Sequence, residues 1–174
     1  MNGDLNNSIT LRITDDSGFI AIVNTDKYVS FVHEDWEFPQ LTNHFIHEMN
    51  KENLIVWKTG LEGEWTIAFL NSPSSEKSFR EFSKTIVVTS EQLFLTNYED
   101  LTSAAQFADI KIPNVHNADL VIKLENGKYK FTIRQMFDPG DYDFDPEGKI
   151  NFEITIKNET ESTGEIEKIF WSKE

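Results

Sequence analysis

The sequence contains no cysteine. Disulfide frameworks, thiolate zinc sites, iron–sulfur clusters and cysteine nucleophiles are therefore all excluded. No apolar run approaches the roughly 20 residues that a membrane-spanning helix needs, and Met1 to Asn7 lacks both the basic and the apolar region of a secretory leader. Together these absences predict a cytoplasmic protein.

Basic residues are scarce. Lys and Arg number 16 against 30 Asp and Glu, which gives a formal net charge of −14. A chain of this charge repels the phosphate backbone, so direct binding of DNA or RNA is disfavoured. The excess is concentrated toward the C-terminus: residues 138–174 contain 11 acidic and 4 basic side chains, a net charge of −7.

Glycine is also infrequent, at 8 residues. The glycines form neither a dinucleotide-binding fingerprint nor a P-loop, and no serine lies in a Gly-x-Ser-x-Gly elbow. A pair of catalytic carboxylates cannot be selected from spacing alone, because its required separation is spatial. The prediction is a protein that is not an enzyme, has no catalytic residues and binds no cofactor or metal, with a spatially assembled acid pair as the enzymatic alternative.

The chain does have ample apolar material. Hydrophobic residues make up 39% and aromatic residues 13% of its 174 residues. A chain of this length buries enough surface for one core, so a single domain spanning 1–174 is expected.

Most of that apolar material alternates with polar residues, which is typical of strands. Four pairs of such runs are separated by turn residues, and each pair predicts a hairpin. The clearest pair is joined by Asn126-Gly127, a type I′ turn signal. The predicted hairpins cover residues 9–23, 54–70, 82–96 and 120–137.

Three shorter apolar stretches complete the predicted secondary structure. Residues 110–112, 150–156 and 169–171 predict further strands, and 35–52 predicts a short amphipathic helix, while residues 100–107 could add one helical turn. The expected fold is mainly β: an antiparallel β-sandwich of about ten strands with one short amphipathic helix. A closed β-barrel is the alternative.

The segment 138–148 places carboxylates at nearly every second position. Its candidate partner-binding residues are Asp138, Asp141, Asp143, Asp145 and Glu147. Clustered oxygens of this kind also suit calcium, but Pro146 and Phe152 stand where an EF-hand loop beginning at Asp141 needs Gly and Glu. A solvated loop with Tyr142 and Phe144 turned inward is the structural expectation.

Other residues carry weaker signals. His44 and His47 lie three apart on the predicted helix, but no third metal ligand is indicated, so surface histidines are expected. The 4 tryptophans could form a stacking platform for sugars, although a place in the core accounts for them equally well.

Between Leu54 and Phe137 the order of features resembles small bacterial β proteins of the competence-locus nuclease-inhibitor and immunity type. The resemblance is carried by 85–89, 93–95, 110–113 and 124–133. It implies a protein that inhibits a basic toxin or nuclease, and the negative charge independently suits a basic protein partner. The alternative is a β-sandwich module that binds calcium or carbohydrate.

Overall fold

A computed structural model describes residues 8–173, so Met1–Asn7, where a leader was predicted to be absent, lie outside the described residues. The strands are β1 (Ile9–Asp15), β2 (Phe19–Val23), β3 (Leu54–Lys58), β4 (Gly63–Leu70), β5 (Arg80–Val88), β6 (Gln92–Asn97), β7 (Val121–Lys123), β8 (Gly127–Gln135) and β9 (Phe152–Asn158). The helices are α1 (Phe38–Asn50), α2 (Tyr98–Gln106) and the 3-10 turn Val115–Asn117.

The strands form two sheets. One has five strands in the order β1-β4-β9-β8-β5, and the other has four in the order β3-β2-β6-β7. Apolar residues from both sheets form one shared core that includes Ile20, Trp57, Trp65, Phe131 and Ile154. The sheets therefore pack face to face, as alternating strands require when each buries one side.

Both α-helices cover the far side of the four-stranded sheet. Leu41 and Phe45 of α1 and Leu101 of α2 belong to a second core with Ala21 and Val56, whose strand neighbours point into the first core. The protein thus has three layers, sheet, sheet and helices. α1 begins with a capping box in which the Glu37 side chain and Gln40 bond reciprocally to the backbone, and Pro39 is in its first turn.

The prediction of a mainly β fold is confirmed, but three details were wrong. The described residues hold nine strands rather than about ten and two α-helices rather than one. They form two separate sheets, as the predicted sandwich requires, so the alternative of a closed barrel is excluded. The arrangement is also not wholly antiparallel, because β4 and β9 pair in parallel. Neither α-helix of the described chain is long and apolar enough to cross a membrane.

Two predicted strands are missing for different reasons. Ile112 packs into the second core just before Pro113, which has no N–H with which to continue a ladder. Phe170 makes only an isolated bridge with Trp57, since residues 159–173 cross from one sheet to the other rather than along one strand.

The four predicted hairpins were also wrong in their pairing. In each of them the two strands lie in opposite sheets: β1 with β2, β3 with β4, β5 with β6, and β7 with β8. The turns reverse the chain as expected, but each carries it across the core instead of back along the same sheet.

Candidate functional site

The acidic loop, residues 138–148, connects β8 to β9, two adjacent antiparallel strands of the five-stranded sheet. All five of the predicted partner-binding residues in it are exposed to solvent. The loop is therefore available to another molecule.

An aromatic stack holds the acidic loop against the sheet. The ring of Phe137 stacks on Trp65 at a centroid distance of 4.9 Å, and Phe144 stacks on Phe137 at 4.4 Å. Trp65 is buried on β4, so the loop is tied to the core through two parallel rings. The expectation that Phe144 turns inward is confirmed, whereas the same expectation for Tyr142 was wrong: that side chain is fully exposed.

Contacts with β4 and with the β3–β4 turn hold the two ends of the acidic loop. Asn151 accepts from the Thr66 N–H at 2.7 Å and donates to the Pro146 carbonyl at 3.3 Å. At the other end, a Cβ added to Gly60 would lie 2.7 Å from Pro139 Cβ, so the β3–β4 turn is in close contact with the loop. The loop is consequently anchored at both ends.

Three of the loop carboxylates also shape the loop itself. In each, the side-chain Oδ1 accepts a hydrogen bond from the backbone N–H two residues later: Asp138 at 2.8 Å, Asp141 at 3.0 Å and Asp145 at 3.0 Å. Such Asx turns are locally stable, and they leave the second carboxylate oxygen of each residue open to solvent. The loop is thus ordered before any partner arrives.

Within the described part of the chain, the carboxylates of the acidic loop are not tied up in ion pairs, although Arg12 and Lys149 line the same cleft as Asp145 and Glu147. Among residues 8–173, no Lys, Arg or His nitrogen forms an ion pair with the five loop carboxylates. Arg80 is the basic residue whose charge interacts with Asp138: burial lowers the pKa of Arg80, and Asp138 opposes that shift. The Arg80 guanidinium is itself held by Gln135 and lies 4.3 Å from the centre of the Trp171 ring.

The described residues do not bring the predicted metal-ligand candidates together. Within 8–173 no three His, Asp or Glu side chains are grouped so that they could hold a metal ion. His44 contacts the Val29 carbonyl oxygen at 2.6 Å through Nε2. Nor do the tryptophans form an open platform, because Trp57 and Trp65 are buried and Trp36 and Trp171 half-buried.

A cleft of about 790 Å³ opens beside the acidic loop. It lies between residues 145–150 and the outward side chains of Arg12, Glu64 and Thr66, with Arg12 and Glu64 paired at 2.5 Å. Sequence reasoning missed this cleft because even its nearest facing residues, Thr66 and Asp145, are 79 positions apart in the chain. Its carboxylates are all exposed to water, unlike a general acid held in an apolar pocket.

Comparison with known proteins defines the fold and no more. No protein-family model matches the chain, and no curated protein matches it in sequence. Two solved structures do match. A protein described as Crocagin biosynthetic gene J has a TM-score of 0.54 and 13% identity, over 88% of this chain and 96% of its own.

The second is ComJ from Bacillus subtilis, described as an inhibitor of the DNA degrading activity of NucA. It aligns with a TM-score of 0.52 and 14% identity, over 91% of this chain and 98% of its own. The predicted resemblance to nuclease inhibitors of the competence locus is therefore confirmed as a likeness of fold. It extends beyond residues 54–137, to nearly the whole chain.

Proposed function

We propose that this chain is a non-enzymatic protein that binds and inhibits a basic nuclease or toxin through the acidic loop. The observation that carries the proposal is the ordered loop itself, in which Asp138, Asp141, Asp143, Asp145 and Glu147 are exposed and outside every ion pair of the described residues. The likeness of fold to an inhibitor of a DNA-degrading activity supports the same class. We further propose one domain, 1–174, acting in the cytoplasm.

The physical reason is complementarity of charge. An active site that handles DNA is lined with cations for phosphate, and a rigid row of carboxylates meets the same requirement. Opposite potentials also speed association, with an effect that salt screens. Because the aromatic stack and the Asx turns already order the loop, little conformational entropy is lost on binding.

Tyr142 adds an apolar contact at the centre of that charged surface. Its ring is fully exposed between Asp141 and Asp143, so it makes no contribution to the protein's own core. Tyrosine is enriched among the residues that dominate binding energy at protein interfaces. We therefore propose that Tyr142 anchors the loop in a pocket of the partner.

The test uses the full chain as bait in a lysate of its native host. We expect a basic protein with nuclease activity to be captured at low ionic strength and released as salt rises. The variant D141N/D143N/D145N should capture much less of it, since asparagine preserves the Asx turns while removing three charges. Added to the purified nuclease, the wild-type chain should reduce DNA cleavage and the variant should not.

A matched control separates the loop from overall charge. The variant D109N/D119N/E125Q removes three exposed carboxylates that lie outside the acidic loop and make no side-chain hydrogen bond or ion pair within the described residues. It should bind as the wild type does. Equal loss of binding in both variants would refute the role of the loop, and capture of an acidic protein without nuclease activity would refute the inhibitor function.

A further inference from the structure

A groove of about 480 Å³ lies on the helix-covered face of the four-stranded sheet, beside α1. One wall is a ridge of α1 formed by Phe38, Thr42 and Ile46, which are spaced four residues apart and so share a helix face. The other wall is the chain from 167 to 173. The volume of the groove is within the range of about 300–1,000 Å³ typical of sites for small molecules.

Part of the lining of this groove is apolar, beside the polar side chains of Thr42, Asn43 and Ser172. Phe19 and Ile169 are buried members of the second core that also line the groove. Phe38, at its mouth, leaves 46% of its surface exposed. A ligand entering the groove would therefore bury an apolar body against aromatic and aliphatic side chains.

The rim of the groove is cationic, which is unexpected in a chain of net charge −14. Among the described residues, Lys58, Lys168 and Lys173 line it together with one carboxylate, that of Glu167. Across residues 8–173, none of these three lysines forms an ion pair. The Lys58 ammonium lies 5.1 Å from the centre of the Phe19 ring, so one charge is held next to the apolar lining.

From this arrangement we infer that the groove binds a small amphiphilic anion, with its apolar body between α1 and residues 167–173 and its negative head group among the three lysines. An ammonium group close to a low-dielectric surface attracts an anion more strongly than one in bulk water. The site shares no lining residue with the acidic loop, so the inference is independent of the proposed function.

Two fluorescent probes of similar shape test the inference on the full chain. Anilinonaphthalene sulfonate carries a negative charge, and N-phenylnaphthylamine does not. We expect the sulfonate to bind at one saturable site per chain and more tightly than the neutral probe. The variant K58Q/K168Q should weaken sulfonate binding about tenfold, because it removes two partly exposed charge pairs. The same variant should change the affinity for the neutral probe less than about twofold.

Further variants locate the site. T42W fills the groove from α1 without altering any charge and should abolish binding of both probes, with the fold checked by circular dichroism. K111Q/K123Q removes two exposed lysines outside the groove and should bind both probes as the wild type does. The inference is overturned if the sulfonate fails to bind, if K58Q/K168Q binds it as tightly as the wild type, or if T42W leaves binding unchanged.

Discussion

Asp15 is a buried carboxylate at the turn where the chain passes from β1 in one sheet to β2 in the other. Its Oδ1 accepts from the backbone N–H groups of Ser17, Gly18 and Phe19, at 3.1, 2.7 and 3.0 Å. Asp15 thus satisfies three backbone N–H groups at the turn between the two strands. Replacing it should reveal how much that turn contributes to stability.

The other oxygen connects this turn to the rest of the five-stranded sheet. Oδ2 accepts from Thr59 Oγ1 at 2.8 Å and from Trp65 Nε1 at 3.1 Å. In D15A, water can reach the backbone N–H groups of Ser17 and Gly18. The Thr59 hydroxyl keeps its hydrogen bond to the Leu61 carbonyl, at 2.6 Å. The Trp65 and Phe19 donors remain buried without a partner, each at a cost of about 1–3 kcal/mol.

We therefore expect D15A to lower the free energy of unfolding by about 3–5 kcal/mol. D15N should cost less, about 1–3 kcal/mol, because its Oδ1 still accepts the three backbone N–H groups while its amide NH₂ faces the Trp65 N–H. The control is D16A, which removes an exposed carboxylate from the same turn and should change stability by less than about 0.5 kcal/mol.

Urea unfolding followed by tryptophan fluorescence measures all three variants, with midpoint and slope fitted together. The expected order of stability is D16A, then D15N, then D15A. A D15A protein within about 1 kcal/mol of wild type would refute the reasoning, since two buried donors would then have found other partners.

Three further substitutions test the acidic loop and a buried lysine. Gly60 has φ +88°, and a Cβ at this position would meet Pro139. G60A should therefore lower the free energy of unfolding in urea by about 2–4 kcal/mol. The control is G164A, which has open space around it and should stay within about 0.5 kcal/mol of wild type. F144A should speed amide hydrogen exchange in residues 138–148 and lower stability by about 1–2 kcal/mol; unchanged exchange would show that the aromatic stack does not order the loop. Burial lowers the pKa of Lys84, and the charges of Glu52 and Glu165 oppose that shift. The unfolded chain therefore binds the Lys84 proton more strongly than the folded chain, so the stability of the wild type relative to K84M should rise as pH approaches the ordinary lysine pKa of about 10.4. A difference in stability that stays constant or falls with pH would contradict this expectation.

Local patterns in the sequence were sufficient to find most of the elements. The alternation of 129–137 corresponds to β8 and that of 150–156 to β9, each within about two residues. A signal for α2 was also present: Asn97 caps the helix by accepting from the Asp100 N–H at 3.0 Å, and buried Leu101, Ala104 and Ala105 follow at helical spacing. These features act over a few residues, so they can be detected without a fold.

Strand pairing could not be detected in the same way. Asn126-Gly127 reverses the chain, yet β7 pairs with β6 and β8 with β5 and β9. A turn between strands of opposite sheets needs the same flexible residues as a hairpin, and the strands of both sheets need the same alternation. The parallel pairing of β4 with β9 joins residues about 85 positions apart and has no local signature at all.

The candidate site shows the same division. The positions of the five carboxylates and their exposure follow from a polar loop between two strands, and the structure brings them onto one ordered loop. The outward Tyr142, the cleft beside Arg12 and the lysine-rimmed groove depend on which distant segments meet. Phe144 and Tyr142 have nearly identical sequence surroundings, and only the presence of Phe137 and Trp65 behind one of them decides which is packed.

The sequence by itself determined the charge, the absence of thiol chemistry, the strand-forming segments and the loop on which the carboxylates gather, because each depends on composition or on neighbours along the chain. The tertiary structure decided which strands pair, which aromatic residue faces solvent and which three lysines line one groove. Those outcomes arise from burying apolar surface between segments far apart in the chain, and such burial is a property of the whole assembled core.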